Sequence, residues 1–90
     1  MLYAVICRDK PGQLETRKAN RDAHLAYIEE TGVVTQAGPF LDAAGDMCGS
    51  LVVLDLESMD AAQNWAANDP YAKAGLFENV TIQAWKKVIG

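Results

Sequence analysis

Residues 48–71 read CGSLVVLDLESMDAAQNWAANDPY. Cys48–Glu57 is the most strand-like stretch of the chain. Val52 and Val53 stand at its centre, and Leu54, Asp55, Leu56 and Glu57 alternate apolar and polar at its end, the period-two pattern of a sheet strand. Ser58 then offers a hydroxyl N-cap, Asp60 suits the positive end of a helix, and Ala61, Ala62, Trp65 and Ala66 recur at helical spacing. Asp69-Pro70 ends that helix and opens a short turn, with Asp69 as N-cap and Pro70 at the first helical position, before Gly75. This segment is a central strand followed by a helix.

The same unit appears upstream. Leu2–Arg8 has a hydrophobic, partly β-branched centre and ends at the turn signal Asp9-Lys10-Pro11-Gly12, so it reads as the first strand. Leu14–Thr31 lacks Gly and Pro and is rich in helix formers, with Gly32 at the C-terminal stop, which predicts one long helix. Val33–Phe40 follows as a strand in which Gly38-Pro39 indicates a bulge or edge position, since proline cannot donate to a ladder. Asp42–Asp46 is a hairpin loop and Val80–Val88 the last strand. The order β-α-β-β-α-β is the ferredoxin-like pattern of the α+β class, a four-stranded antiparallel sheet with two helices on one face. The other face is left uncovered. Trp85, Phe40, Val53 and Cys48 are too apolar to leave there, so a homodimer packed sheet against sheet is expected.

Composition agrees with one globular domain over residues 1–90: half the chain is hydrophobic and 22% is charged. Eight Lys and Arg against twelve Asp and Glu give a net charge of −4, which disfavours nucleic acid and anionic membranes as partners; any anion must be bound locally. The apolar runs Tyr3–Cys7 and Leu51–Leu54 fall far short of the roughly 18–20 residues of a membrane span. Arg8-Asp9-Lys10 follows the first run, the reverse of signal-peptide order, and the expected location is cytoplasmic. Cys7 and Cys48 lie in apolar segments without a CxxC or a neighbouring His and read as buried thiols. No metal-ligand spacing and no phosphate-binding glycine loop is present, so no cofactor and no metal is expected.

On a helical wheel of the long helix, Leu14, Leu25 and Ile28 define an inward arc with Arg21 in its middle and Arg17 and His24 at one edge. An arginine keeps its proton and is costly to bury alone, so this pattern implies either an internal carboxylate or a bound anion in a cleft between helix and sheet. The plainer alternative is that Arg17 and Arg21 snorkel at the edge or pair with Glu15, Asp22 or Glu29. His24 is the only histidine. Asp69, beside its capping role, can accept a hydrogen bond from one His24 nitrogen and orient the ring, which makes an acid–base dyad. Ser50 after Gly49 offers a hydroxyl to the same cleft, unless it serves the hairpin end alone. Tyr71 and Trp65 either wall an apolar pocket or belong to the core.

The opening Leu2-Tyr3-Ala4-Val5-Ile6, the helix pattern Arg17-x-x-x-Arg21-x-x-His24-Leu25, Gly38-Pro39, Gly49-Ser50, Ala61-Ala62-x-x-Trp65-Ala66-x-x-Asp69-Pro70-Tyr71 and the closing segment Val80–Val88 together resemble the YCII (YciI-like) family over nearly the whole chain. The resemblance implies a ferredoxin-like protomer of the dimeric α+β barrel superfamily. It further implies an active site on a His-Asp pair, carried over to His24 and Asp69, with Ser50, Arg21 and Tyr71 as pocket neighbours. One branch of that family resembles dehydrochlorinases of hydroxylated chloroaromatics, and the wider superfamily includes lactone isomerases. The leading expectation is a small cofactor-independent lyase or isomerase in which His24 moves a proton, Asp69 fixes its tautomer, and Arg21, Arg17, Ser50 and Tyr71 hold the substrate. The alternatives are a dimer that binds a small molecule or anion without transforming it, and a protein with a transiently phosphorylated histidine.

Overall fold

In the computed structural model, which describes residues 1–90, strand β1 (Leu2–Asp9) lies between β3 (Met47–Asp55) and β4 (Phe77–Trp85), and β2 (Val34–Leu41) pairs with β3 at the edge. All pairings are antiparallel and the order is β2-β3-β1-β4. Helices α1 (Leu14–Ala19) and α2 (Arg21–Thr31) connect β1 to β2, and α3 (Met59–Ala67) and α4 (Pro70–Lys73) connect β3 to β4. The α+β ferredoxin-like topology is therefore as the sequence reads.

Register and alternation place Tyr3, Val5 and Cys7 directly opposite Leu54, Val52 and Ser50, and the first five of these apolar groups form the core with Ala62, Trp65 and Ala66 of α3. Burying each large side chain removes apolar surface from water, about 1.5–3 kcal/mol apiece. Two hydrogen bonds lock α2 to α3 over this layer: the Tyr27 hydroxyl donates to the Trp65 carbonyl at 2.8 Å and the Trp65 indole to Thr31 Oγ1 at 3.0 Å. Trp65 is thus core. Cys7–Ser50 is the end of the sheet where the apolar layer stops, and polar groups begin there. Gly49, beside Ser50, sits so close to β1 that a Cβ would stand 2.4 Å from the Cys7 carbonyl oxygen; only glycine lets the strands meet at that point.

Four expectations are corrected. The long helix is broken at Asn20 (φ −107°, ψ 5°), whose side-chain amide donates to the Thr16 carbonyl and competes with the helix ladder. The inward arc is also displaced: Leu25 is 47% exposed and Arg21 is exposed, whereas Arg17 and His24 are buried. The polar residues face inward because each has a partner there, which an apolar pattern cannot register. Cys48 is the extra residue of a bulge, since Phe40 faces Gly49 but Leu41 faces Met47, and its thiol donates to the Phe40 carbonyl at 3.6 Å instead of lying on the open face. Finally, β4 spans Phe77–Trp85, because Trp85 already pairs with Leu2 and β1 offers nothing beyond it. The proline reading holds: Pro39 lies on the edge strand.

The face away from the helices carries Leu2, Ala4, Ile6, Leu51, Val53, Phe40 and Trp85. Arg8 covers Phe40 at 4.4 Å and the sheet buries Val53, but Leu51 and Trp85 remain 37% and 41% exposed. No helix is long and apolar enough to cross a membrane.

Candidate active site

Asp9 continues the inward series Tyr3, Val5, Cys7 at the end of β1, just past a register shift against β4. It meets Arg17 of α1 side on: Arg17 Nε donates to Asp9 Oδ2 at 2.7 Å and Nη2 to Oδ1 at 2.9 Å. The Arg17 and Asp9 side chains are 2% and 6% exposed. Burial works against the guanidinium charge, but the hydrogen bonds and negative charge of Asp9 outweigh it and Arg17 is held more firmly protonated than usual. Nη2 also donates to Ser50 Oγ at 2.9 Å, which ties α1 to β3 as well as β1. Of the two ways to satisfy a buried arginine, the chain uses an internal carboxylate. None of Glu15, Asp22 or Glu29 is that partner; Glu15 pairs instead with Lys18 at the surface.

The second pair joins α2 to α4. His24 Nδ1 stands 2.8 Å from Asp69 Oδ1, and the same oxygen accepts the Tyr71 backbone N–H at 2.9 Å as the N-cap of α4. An oxygen that accepts a backbone proton is an acceptor toward the imidazole too, so we assign the ring proton to Nδ1, leaving the Nε2 lone pair free in the neutral ring. Capping and orienting His24 are thus one act of one atom. Pro70 at the first helical position fixes the backbone that aims this carboxylate. Tyr71 stacks on the imidazole, centroids 4.0 Å apart and planes 17° from parallel, and the Arg17 guanidinium lies 4.6 Å from the same phenol ring. Burial raises the Tyr71 phenol above its ordinary range against the opposing charges of Arg17 and Arg21.

These groups converge on a cavity of about 130 Å³ lined by Arg17, Arg21, His24, Ser50 and Tyr71, with Ile28 and Val52 among its apolar walls and residues 37–39 of β2 at one side. Asp69 stands behind His24. Arg21 is exposed at the rim and belongs to no ion pair, so it is the uncompensated cation of the pocket, Arg17 being neutralised by Asp9. No group of three or more His, Cys, Asp or Glu side chains is placed to hold a metal ion. The residue that sequence reasoning missed is Asp9, taken for part of a turn. Two signals point to it: its parity with Tyr3, Val5 and Cys7, and the need of an inward arginine for a carboxylate.

The fold is that of a ferredoxin-like protomer of the dimeric α+β barrel class. The chain belongs to the YCII-related domain family, whose model matches residues 1–86. It is 40% identical to Protein YciI of Escherichia coli over a 97-residue alignment covering 98% of this chain and 99% of that one. Among solved structures it is similar to 5-chloro-2-hydroxyhydroquinone dehydrochlorinase (TftG) of Burkholderia phenoliruptrix in complex with 2,5-dihydroxybenzoquinone, at 38% identity and a TM-score of 0.89, covering 96% of this chain and 94% of that one. An antibiotic biosynthesis monooxygenase shares the fold alone, at 11% identity and a TM-score of 0.61, over 99% of this chain and 100% of that one.

Folding is expected to become sensitive to alkali at the end of the sheet under this site. Burial, with Asp69 adding and Arg17 opposing, pushes the Cys7 thiol up to about 12, whereas a free thiol ionises at roughly 8.5. The folded state holds the thiol proton more tightly, so its contribution is complete below about pH 8.5 and is lost as pH rises toward 12, at up to ~1.4 kcal/mol per pH unit. Tyr71 adds the same sign at higher pH. Denaturant titrations between pH 8 and 11 are expected to show a falling stability whose slope is shallower in Cys7→Ala. An identical slope in the two proteins contradicts the assignment.

Proposed function

We propose that the chain is a small-molecule enzyme of the lyase or isomerase type, acting in the cytoplasm as a homodimer, in which His24 Nε2 moves a proton and Asp69 holds the ring in its tautomer and orientation. The observation that carries this reading is the two-point hold on Asp69 Oδ1, which leaves the opposite ring nitrogen for a pocket of about 130 Å³. A cavity of about 150 Å³ accepts a benzene ring, so one six-membered ring is the fitting size of substrate. The 38% identity to an enzyme named as a 5-chloro-2-hydroxyhydroquinone dehydrochlorinase supports a hydroxylated ring as the substrate; a lactone-like ring is the second fitting class.

Loss of HCl from such a ring needs only proton transfers. His24 takes the proton of a ring hydroxyl and returns it to the chlorine-bearing carbon, giving a ketone with a saturated C–Cl centre. It then takes the proton of a second hydroxyl; that oxygen's electron pair forms the second carbonyl, the ring double bond shifts, and chloride leaves with the C–Cl pair. The proton passes to solvent and His24 is restored, so the balance is one HCl lost and one quinone formed. Arg21 faces the anion formed at each step, and Ser50, Arg17 and Tyr71 frame the ring.

The dimer reading rests on the exposed apolar side chains of Leu51 and Trp85 on the uncovered face and on the fold class. Sedimentation equilibrium is expected to give twice the chain mass for the wild type and a shift to the monomer in Leu51→Glu; a wild-type monomer contradicts it.

With 5-chloro-2-hydroxyhydroquinone supplied anaerobically, chloride release is expected from the wild type. His24→Ala is expected to lower kcat by roughly 10²–10⁴, the usual contribution of a general acid–base group. Asp69→Asn, which keeps the helix cap, should lower kcat more than it raises KM, with far-ultraviolet circular dichroism unchanged. Saturable binding without chloride release would favour a binding protein, and full turnover in His24→Ala would remove His24 from the chemistry.

A further inference from the structure

We propose that the buried Asp9–Arg17 pair fixes the polarity of Ser50, turning its hydroxyl proton into the cavity as a donor that favours ligands presenting a carbonyl or ionised hydroxyl oxygen there. Asp9 is then a positioning residue that acts through Arg17. The inference rests on reading the pocket as a small-ring site and adds a required substituent to that ring.

A guanidinium has donors and no acceptor. Its contact with Ser50 at 2.9 Å is therefore a bond from Arg17 Nη2 to Ser50 Oγ. Asp9 receives the Nε–H and the other Nη2 hydrogen at 2.7 and 2.9 Å, so the guanidinium cannot turn without breaking a buried two-point ion pair. One Ser50 lone pair is thus permanently engaged. The hydroxyl proton has no acceptor within the chain, yet Ser50 is only 3% exposed and lines the cavity. A buried donor requires a partner, and the cavity is the one direction open to it.

Polarisation by Arg17 strengthens that donor, as in any chain of hydrogen bonds in a low-dielectric interior. It also weakens the oxygen as a nucleophile, since a cation faces the lone pair and no base takes the proton. Ser50 therefore stabilises an oxygen that gains negative charge while His24 removes a proton elsewhere on the ring. A ligand hydroxyl that only donates to the second lone pair of Ser50 would leave the Ser50 proton without an acceptor. The fitting ligand carries an acidic hydroxyl toward His24 and a carbonyl or phenolate oxygen toward Ser50.

Neutron diffraction from deuterium-exchanged crystals of the free protein reads the polarity directly. The expected map places the Ser50 deuterium toward the cavity; a deuterium directed at Asp9 or at a backbone carbonyl overturns the proposal. In solution, diisopropyl fluorophosphate should leave the protein mass unchanged, and a phosphorylated Ser50 would overturn it. Binding of 2,5-dihydroxybenzoquinone, followed by calorimetry, should weaken roughly tenfold or more in Ser50→Ala, as for a hydrogen bond to a charged group, and stay within a few-fold in Ser50→Thr. Asp9→Asn should weaken it in the wild type but add little in Ser50→Ala; full additivity of the two losses overturns the positioning role of Asp9. Should Asp9→Asn fail to fold, the Ser50 variants and the neutron map still decide. Failure of the proton-transfer reading looks different: turnover becomes independent of His24 while the deuterium still faces the cavity.

Discussion

An ionised side chain taken out of water needs a partner of opposite charge and hydrogen bonds for its remaining polar atoms. This molecule meets that demand with partners drawn from distant elements. Arg17 on α1 is held by Asp9 at the end of β1 and touches Ser50 on β3, and His24 on α2 is held by Asp69 at the start of α4. Removing one partner of such a pair leaves a buried charge exposed to the interior, a loss of about 3–5 kcal/mol. The two pairs therefore fix where the helices sit at the polar end of the sheet, while the apolar layer of Tyr3, Val5, Val52, Leu54 and Trp65 fixes them at the other.

The pocket follows from this arrangement. Because α1 and α2 are separate helices, Arg17 and His24 can each turn toward its own carboxylate, and Tyr71 fills the space against the imidazole in a near-parallel stack. The rigid groups face one small cavity, and Arg21, the pocket arginine without a carboxylate partner, stands at its rim. Preorganisation of this kind suits proton transfer on a ring that gains negative charge, since the dipoles and charges need no rearrangement during the reaction.

Much of the fold was legible because its signals are local. Ser58 caps α3 by accepting the Ala61 N–H, Asp69 caps α4, Pro39 lies on an edge strand, and the hairpin falls at residues 42–46. Of the residues singled out in the sequence, Arg17, Arg21, His24, Ser50 and Tyr71 border one cavity, with Asp69 behind His24. What local reading missed depends on contacts between distant residues. Apolar weighting centred the inward arc on Arg21 and Leu25, which are exposed, and left at its edge Arg17 and His24, which are buried because each meets a carboxylate from another element. The break at Asn20 arises from one side-chain bond to Thr16, and the end of β4 is set by where β1 begins. Asp9 was hidden because a turn signal and a buried ion-pair partner use the same residue type.

The central claim is that Asp69 fixes the tautomer of His24, and the solitary histidine makes it directly measurable. Nitrogen-15 NMR of the imidazole distinguishes a protonated from an unprotonated ring nitrogen without any need for residue assignment. The neutral ring is expected to carry its proton on Nδ1 and to present an unprotonated Nε2. A ring protonated on Nε2 would mean that Asp69 does not receive the imidazole proton, and it would contradict both the geometry of the pair and the proton-transfer chemistry built on it.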